Sequence, residues 1–316
     1  MKPPRFWFKK KRTLVSILLA PLGWLYSYGT ANRLARGSRT KLNIPVICVG
    51  NINLGGTGKT PTVIALIEML KAMGHTPAVV SRGYGGSLEG PVKVTRSHKS
   101  HQVGDEPILL SAFSDVWISK DRLLGAKAAE NEGADVLILD DGLQNAALHY
   151  DLTLNVVDAK IAFGNGAVFP AGPLREPINK GLSRSDLVMS IGGQIELDHP
   201  AVVTGLLEPV DMGMDWSDAH VIAFAGIGRP QKFFSTLKKL GATLVNTHAF
   251  DDHQPFNDTI LARLEREAFT KNAILVTTEK DAVRLPEEWR HHVMSLPVRL
   301  NLDDPNLLEA RLKALF

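Results

Sequence analysis

The apolar run Ile44-Pro45-Val46-Ile47-Cys48-Val49 leads through Asn51-Ile52-Asn53 into Gly55-Gly56-Thr57-Gly58-Lys59-Thr60. The apolar-periodic segment Val63-Ile64-Ala65-Leu66-Ile67-Glu68-Met69-Leu70 follows at once. This is a buried strand, a glycine-rich turn and a helix, the context of a P-loop. Glycines let successive backbone N–H groups curl toward a phosphate, and the helix aims its positive end at the same point. In that arrangement Lys59 reaches the β- and γ-phosphates and the Thr60 hydroxyl ligates Mg²⁺. The usual pattern opens with glycine where this chain has Asn53. Asn53, Gly55, Gly56, Thr57, Gly58, Lys59 and Thr60 are therefore the expected nucleotide-binding residues, and ATP with Mg²⁺ the expected ligands. The alternative is a plain glycine-rich turn between strand and helix.

Around this unit the chain alternates strand and helix patterns. Strands are expected at Pro77–Ser81, near Val92–Val94, and at Val116–Ile118, Asp135–Leu139, Asp151–Val157 and Asp186–Ser190. Helices are expected from Asp105 and over 121–132. Alternation of this kind predicts an α/β fold, a parallel sheet with helices on both faces. A second unit starts near His220, with strands at Val221–Ala225, Leu244–Val245, Ala273–Val276 and Val293–Leu296, a helix over Gln231–Leu240 and a closing helix at 304–315. The expected layout is an N-terminal segment 1–40, a P-loop domain 41–208, a linker 209–219 containing Pro209 and Gly213, and a smaller C-terminal α/β lobe 220–316.

The net charge of +3 conceals an asymmetry. No Asp or Glu precedes Glu68, while residues 1–67 hold eleven Lys or Arg, so the remainder carries a balance of −8. A basic head on an acidic body points to a localised anionic partner. The head mixes aromatic and basic residues at Arg5–Arg12, then runs apolar from Leu14 to Tyr26. That composition suits the headgroup layer of a bilayer better than nucleic acid. The apolar stretch is shorter than the ~20 residues needed to span, and Pro21 and Gly23 interrupt it. The expectation is a monotopic helix on an anionic inner-leaflet surface, with no nucleic acid and no obligate protein partner. The single cysteine, Cys48, excludes a disulfide framework and a cysteine zinc site, and reads as a buried core residue.

Other segments carry chemistry with less specificity. Val136-Leu137-Ile138-Leu139-Asp140-Asp141-Gly142 is an apolar strand that delivers carboxylates to the Mg²⁺ side of a P-loop, or a simple turn. Gly104-Asp105-Glu106-Pro107 is either a helix N-cap or a carboxylate placed to take a hydroxyl proton. Asp251-Asp252-His253 is a cap or a catalytic pair. Pro170–Pro177 is too dense in Pro and Gly for a helix or strand interior and presents Arg175 from a rigid loop, for phosphate recognition or an ion pair.

Taken in order, Asn51–Pro61, Ser81-Arg82-Gly83-Tyr84, Gly104–Pro107, Asp140-Asp141-Gly142-Leu143-Gln144, Pro170–Pro177, Asp252-His253 and Thr277-Thr278-Glu279-Lys280-Asp281 resemble the tetraacyldisaccharide 4′-kinases, the lipid A 4′-kinases of Gram-negative bacteria. The resemblance covers nearly the whole chain. It implies two Rossmann-like lobes with a cleft between them, the larger a P-loop sheet, and an N-terminal membrane-associated helix. It implies transfer of the γ-phosphoryl of ATP to the 4′-hydroxyl of a lipid A disaccharide precursor at the cytoplasmic face of the inner membrane. By the same resemblance Asp105 is the base assisted by His253, and Asp141 and Arg175 complete the catalytic group. Thr60, Asp140 and Glu106 hold the metal, and Arg82, Tyr84, Asp105 and Arg175 meet the substrate. Many family members carry His where this chain has Asn145, so no imidazole acts there.

Overall fold

The computed structural model describes residues 3–9 and 11–316. Lys2 and Lys10 of the basic head lie outside them. A short 3₁₀ turn at Arg5–Phe8 precedes α1 (Leu14–Arg36). The P-loop unit is β1 (Val46–Gly50) and α2 (Lys59–Ala72). Then come β2 (Pro77–Ser81), β3 (Val92–Lys93), α3 (Ser100–Val103), α4 (Asp105–Leu110), β4 (Asp115–Ile118), α5 (Arg122–Asn131) and β5 (Val136–Asp140). A helix-free crossover leads to β6 (Leu152–Asp158), followed by α6 (Ile178–Leu182), β7 (Leu187–Ile191) and β8 (Val202–Pro209). The second unit holds β9 (His220–Ala225), α7 (Pro230–Lys239), β10 (Thr243–Ala249), α8 (Asp258–Thr270), β11 (Ile274–Thr278), α9 (Glu279–Ala282) and β12 (Met294–Leu296). The chain closes with β13 (Val298–Leu302) and α10 (Asn306–Lys313).

Two sheets result. The larger has nine strands in the order β13-β8-β7-β6-β1-β5-β2-β4-β3, parallel except for β13 and β3 at its edges. The smaller has the order β10-β9-β11-β12, all parallel. β1 and β5 are buried at every position, as strands covered on both faces must be. α2 inserts Val63, Ile64, Leu66, Ile67 and Leu70 into one face of the large sheet. Each contributes about 1.5–3 kcal/mol. The other face is covered by α5 and by the long segments after β5 and β6, which bury Leu143, Phe163, Leu174 and Leu182 over Cys48. Cys48 is fully buried there, and burial pushes its thiol far above the usual range.

The C-terminal end departs from the expected layout. β8 and β13 were not anticipated from sequence, and 298–316 does not belong to the smaller sheet. β13 pairs antiparallel with β8, and Leu308 and Leu312 of α10 enter the core of the larger lobe. The smaller sheet is thus inserted between two adjacent strands of the larger one. The linker is also shorter than 209–219, because Pro209 ends β8 and Trp216 is buried in the small-lobe core. Val210 N–H donates to the Pro297 carbonyl at 3.0 Å, so the outgoing and returning strands run side by side.

α1 is longer than the apolar run suggested. Its 23 residues continue through Pro21 and Gly23, and Thr13 caps it by accepting from Ser16 N–H. Ser16, Gly23 and Thr30, seven residues apart, are its buried positions. Ser16 Oγ donates to the Ala171 carbonyl at 2.7 Å, and Gly23 sits against the Val168 carbonyl, where a Cβ would meet that oxygen. Trp7 Nε1 donates to the Pro170 carbonyl and holds the preceding turn on the same loop. The opposite side exposes Leu14, Leu18, Leu22 and Leu25.

Candidate active site

β1 lies between β5 and β6, and the chain leaves it in opposite directions on its two sides. A cleft opens at the carboxyl ends of the strands at such a reversal, and the P-loop fills it. Gly55 and Gly58 have φ of 113° and 103°, which side chains with a Cβ rarely adopt. Asn51 braces the loop from beneath. Its Nδ2 donates to the Gly55 carbonyl at 3.1 Å and to Thr57 Oγ1 at 3.0 Å, and its Oδ1 accepts from Lys59 Nζ at 3.3 Å. Thr60 stands in the first turn of α2 beside Lys59. Gly56 is exposed within the loop. Asn53 differs from expectation. It is 1% exposed, and its Nδ2 donates to the Ala162 carbonyl at 2.8 Å, so its side chain tethers the P-loop to the segment after β6 and is not open to a nucleotide.

β5 delivers Asp140 and Asp141 next to Lys59. Asp140 Oδ2 accepts from Ser81 Oγ at 3.1 Å. Burial, then the charge of Glu106, pushes Asp140 up to about 7. Burial also works against ionisation of Asp141, but Lys59, Arg175 and Arg122 hold it below the usual carboxylate range. Lys59 Nζ lies 3.6 Å from Asp141 Oδ1. Arg175 Nη1 donates to both oxygens of Asp141, at 2.9 and 3.0 Å, and to Gln144 Oε1 at 3.0 Å. Asp141 itself has φ of 57°, the left-handed region that Asp tolerates better than most residues. Among the described residues no three His, Cys, Asp or Glu gather around one point. Mg²⁺ at a nucleotide site takes one or two protein carboxylates and completes its shell with phosphate oxygens and water. Asp140 and Glu106, whose charges oppose one another, fit that requirement with Thr60.

α4 starts at Asp105, but the N-cap is Gly104 and Asp105 makes no capping bond. The helix-cap reading therefore fails, and the carboxylate is available to the cleft. Its partner comes from the smaller lobe. His253 Nδ1 lies 2.8 Å from Asp105 Oδ2 across 148 residues of chain. Arg284 Nε stands 3.4 Å from the same oxygen. His253 has φ of 61°, a strained conformation for a non-glycine residue, which its N–H bond to the Gly226 carbonyl helps to hold.

Glu106 and Lys280 form a second pair beside the first. Lys280 Nζ donates to Glu106 Oε1 at 3.0 Å and approaches His253 Nε2 at 3.5 Å. Burial pushes Glu106 up, but Lys280, Lys59 and His253 hold it below the usual carboxylate range. Burial favours the neutral form of Lys280, yet Glu106 raises its affinity for a proton above normal. An ammonium only donates, so His253 Nε2 is the acceptor and Nδ1 carries the hydrogen given to Asp105.

Arg82 and Tyr84 leave the end of β2 and are exposed at the cleft mouth. The Tyr84 ring meets His253 edge to face at 5.8 Å. The structure thus brings together every expected site residue except the side chain of Asn53. Sequence reasoning missed Asn51, Ser81, Arg122, Gln144, Lys280 and Arg284. Arg122 Nη2 donates to the Asp141 carbonyl at 3.1 Å, and the Nε atoms of Arg122 and Arg175 are buried without a partner. Lys280 stood in a segment noted only for its resemblance. Arg122 had no signal at all, since it opens an ordinary helix after the cap Asp121.

The model of the family described as tetraacyldisaccharide-1-P 4′-kinase matches residues 15–316. A tetraacyldisaccharide 4′-kinase of Dinoroseobacter shibae is 54% identical, over all of this chain and 98% of that protein. One of a Jannaschia species is 54% identical over 96% of both. The solved structure of LpxK from Aquifex aeolicus, in complex with ATP, superposes with a TM-score of 0.79 at 27% identity. The match covers 96% of this chain and all of that one. The P-loop against two carboxylates, the acid–imidazole pair facing it across a cleft, and these matches along the full length agree: the chain belongs to the tetraacyldisaccharide-1-P 4′-kinase family.

Proposed function

We propose that the chain transfers the γ-phosphoryl of ATP to the 4′-hydroxyl of a tetraacylated glucosamine disaccharide 1-phosphate, with Asp105 as the base. The carrying observation is the 2.8 Å contact between Asp105 and His253, which joins the two lobes beside the P-loop. Phosphoryl transfer asks chiefly for positioning and charge neutralisation. Lys59 supplies positive charge to the transferring group, and the backbone N–H groups of Gly55–Thr60 cradle the phosphates. Thr60, Asp140 and Glu106 would hold Mg²⁺, which would supply charge neutralisation to the phosphates. Arg175, through the Asp141 carboxylate, and Arg122, through the Asp141 carbonyl, fix Asp141 beside Lys59.

With Oδ2 of Asp105 taken by His253, the other carboxylate oxygen takes the hydroxyl proton. His253 holds Asp105 in place. Arg82 and Tyr84 meet the acceptor at the mouth. The larger lobe thus carries the nucleotide and the smaller lobe completes the base.

The acceptor's acyl chains remain in lipid, since each CH₂ withdrawn costs about 0.8 kcal/mol, so the enzyme works at the surface of the bilayer. α1 is long and apolar enough to cross a membrane by length and composition. Its contacts at Ser16, Gly23 and Thr30 argue for a helix lying along the lobe with Leu14, Leu18, Leu22 and Leu25 turned into one leaflet, the cytoplasmic leaflet where ATP is present. Transfer of labelled γ-phosphate from ATP to the disaccharide 1-phosphate in detergent tests the assignment. ATP hydrolysis that ignores the disaccharide overturns it.

A further inference from the structure

The segment leaving α1 forms one wall of a second, polar cavity of about 350 Å³, away from the P-loop. Thr40 N–H donates to the Ala147 carbonyl, and the Thr40 carbonyl accepts from His149 N–H, both at 2.9 Å. This pairing pins the segment against the crossover that follows Asp141. It sets Arg39 over a space also lined by Asn145, Tyr150, Thr153, Arg184 and Asp186.

The donors there are uneven. Arg39 makes no hydrogen bond or ion pair among the described residues. Asn145 accepts from Ala147 N–H through Oδ1 at 2.8 Å, which leaves its amide N–H groups for the cavity. Arg184 is held by Glu176, Nη2 to Oε2 at 2.6 Å. Tyr150 donates to the Gly142 carbonyl at 2.8 Å. Asp186, the acid on the wall, has one oxygen occupied by Thr153 N–H at 2.8 Å. Glu176 neutralises Arg184, so the free charges are Arg39 and Asp186, and the unengaged donors are the Arg39 guanidinium and the Asn145 amide, groups that recognise phosphate oxygens.

Hydrogen bonds lead from the active site to the cavity wall at Arg184. Asp141 accepts from Arg175. Arg175 donates to Gln144, and Gln144 Nε2 donates to Glu176 Oε1 at 2.9 Å. Glu176 in turn accepts from Arg184. One run of hydrogen bonds therefore connects the phosphoryl-transfer carboxylate to the cavity. Arg39 follows the last residue of α1 by three positions, so the cavity stands at the carboxyl end of that helix.

We propose that this cavity binds a lipid-borne phosphate monoester, the 1-phosphate of the acceptor, while the distal sugar presents its 4′-hydroxyl to Asp105. The proposal rests on the kinase reading above and adds a subsite to it. Two points of attachment set which end of a near-symmetric disaccharide faces ATP, so the subsite orients the acceptor. The same donors could meet the phosphate of a bilayer phospholipid instead, and the test separates the two.

Initial rates are measured for full-length wild type and Arg39→Gln with two acceptors, the disaccharide 1-phosphate and the same disaccharide with a free 1-hydroxyl. Arg39 is exposed and unpaired, so its loss leaves the fold intact. Arg39→Gln should raise KM for the phosphorylated acceptor about tenfold, with kcat and the KM for ATP unchanged, the pattern of a lost uniform binding contact. It should leave the 1-hydroxyl acceptor unaffected. Asn145→Asp, which keeps the acceptor for Ala147 N–H but adds negative charge, should raise the same KM at least as much. Equal effects on both acceptors, or none on either, overturn the subsite. Co-sedimentation with phosphatidylglycerol vesicles without acceptor supplies the other arm. Weaker binding of Arg39→Gln there, with no discrimination between acceptors, assigns the cavity to bilayer phosphate and overturns the proposal. A wild-type chain that phosphorylates neither acceptor refutes the kinase reading itself, a result distinct from all of these.

Discussion

The contact between Asp105 and His253 makes a quantitative demand on mutant kinetics. Asp105 is 7% exposed, and its Oδ2 receives the imidazole at 2.8 Å. A positioned base contributes about 10²–10⁴-fold to a rate, so Asp105→Ala should lower kcat by about that factor. Asp105→Asn, which keeps an acceptor but not the basicity, should fall almost as far. A hydrogen bond to a charged group is worth about 1.5–3 kcal/mol, or about 10–150-fold at about 1.4 kcal/mol per decade. That is the expected loss for removing His253. The substitution should be His253→Asn, because φ is 61° and Asn tolerates the left-handed region where Ala adds strain. If His253 acts only through Asp105, the double variant is no slower than Asp105→Ala alone, and the coupling energy equals the whole effect of His253. The assay is transfer of labelled γ-phosphate with ATP saturating, and the KM for ATP should move only a few fold. Multiplying losses in the double variant refute the argument, for they mean that His253 contributes by a route that does not pass through Asp105.

Lys59→Ala should abolish transfer while leaving the thermal transition within about 1 kcal/mol of wild type, since the side chain sits in the cleft. Near-normal turnover by the folded variant contradicts the P-loop role. Asp140 is raised to about 7, so between its unfolded value near 3.8 and that pH the native state keeps a proton that the unfolded state has lost. Its contribution to stability therefore falls as pH rises across that window and levels off above it. Thermal melts without nucleotide or metal should show this decline for wild type, and Asp140→Asn should remove it. Replacing Leu18, Leu22 and Leu25 together by Glu should release the protein from anionic vesicles without altering its circular dichroism. Wild-type binding should persist partly at high salt, because apolar burial is not screened.

Much of the larger lobe was legible because its strands are buried on both faces and read as continuous apolar runs. β1, β2, β5 and β6 lie within a residue or two of their expected bounds for that reason. β8 and β13 were not read because they lie at one edge of the sheet. Their burial alternates, and Gly205 and Pro209 dilute the pattern. α1 was underestimated because Pro21 counted as a break. Pro21 stands two turns into the helix and removes the bond to the Ile17 carbonyl, but the contacts of Ser16 and Gly23 with the loop at 165–171 hold the helix through it and onward to Arg36.

For the site, local sequence determined the P-loop, because glycines at positive φ followed by Lys and Thr serve a requirement confined to a few adjacent residues. It likewise determined that β5 ends in two carboxylates, since strand and turn are local. It could not determine that Asp105 meets His253, that Lys280 meets Glu106, or that Arg122 backs Asp141. Each of these pairs joins residues brought together by sheet order and by the insertion of one lobe between β8 and β13. Charged partners of that kind carry no periodicity, and a histidine after two aspartates looks the same whether it caps a turn or crosses a cleft. Only the tertiary structure removes water from around such groups and sets their distances, and with them their charge states and their chemistry.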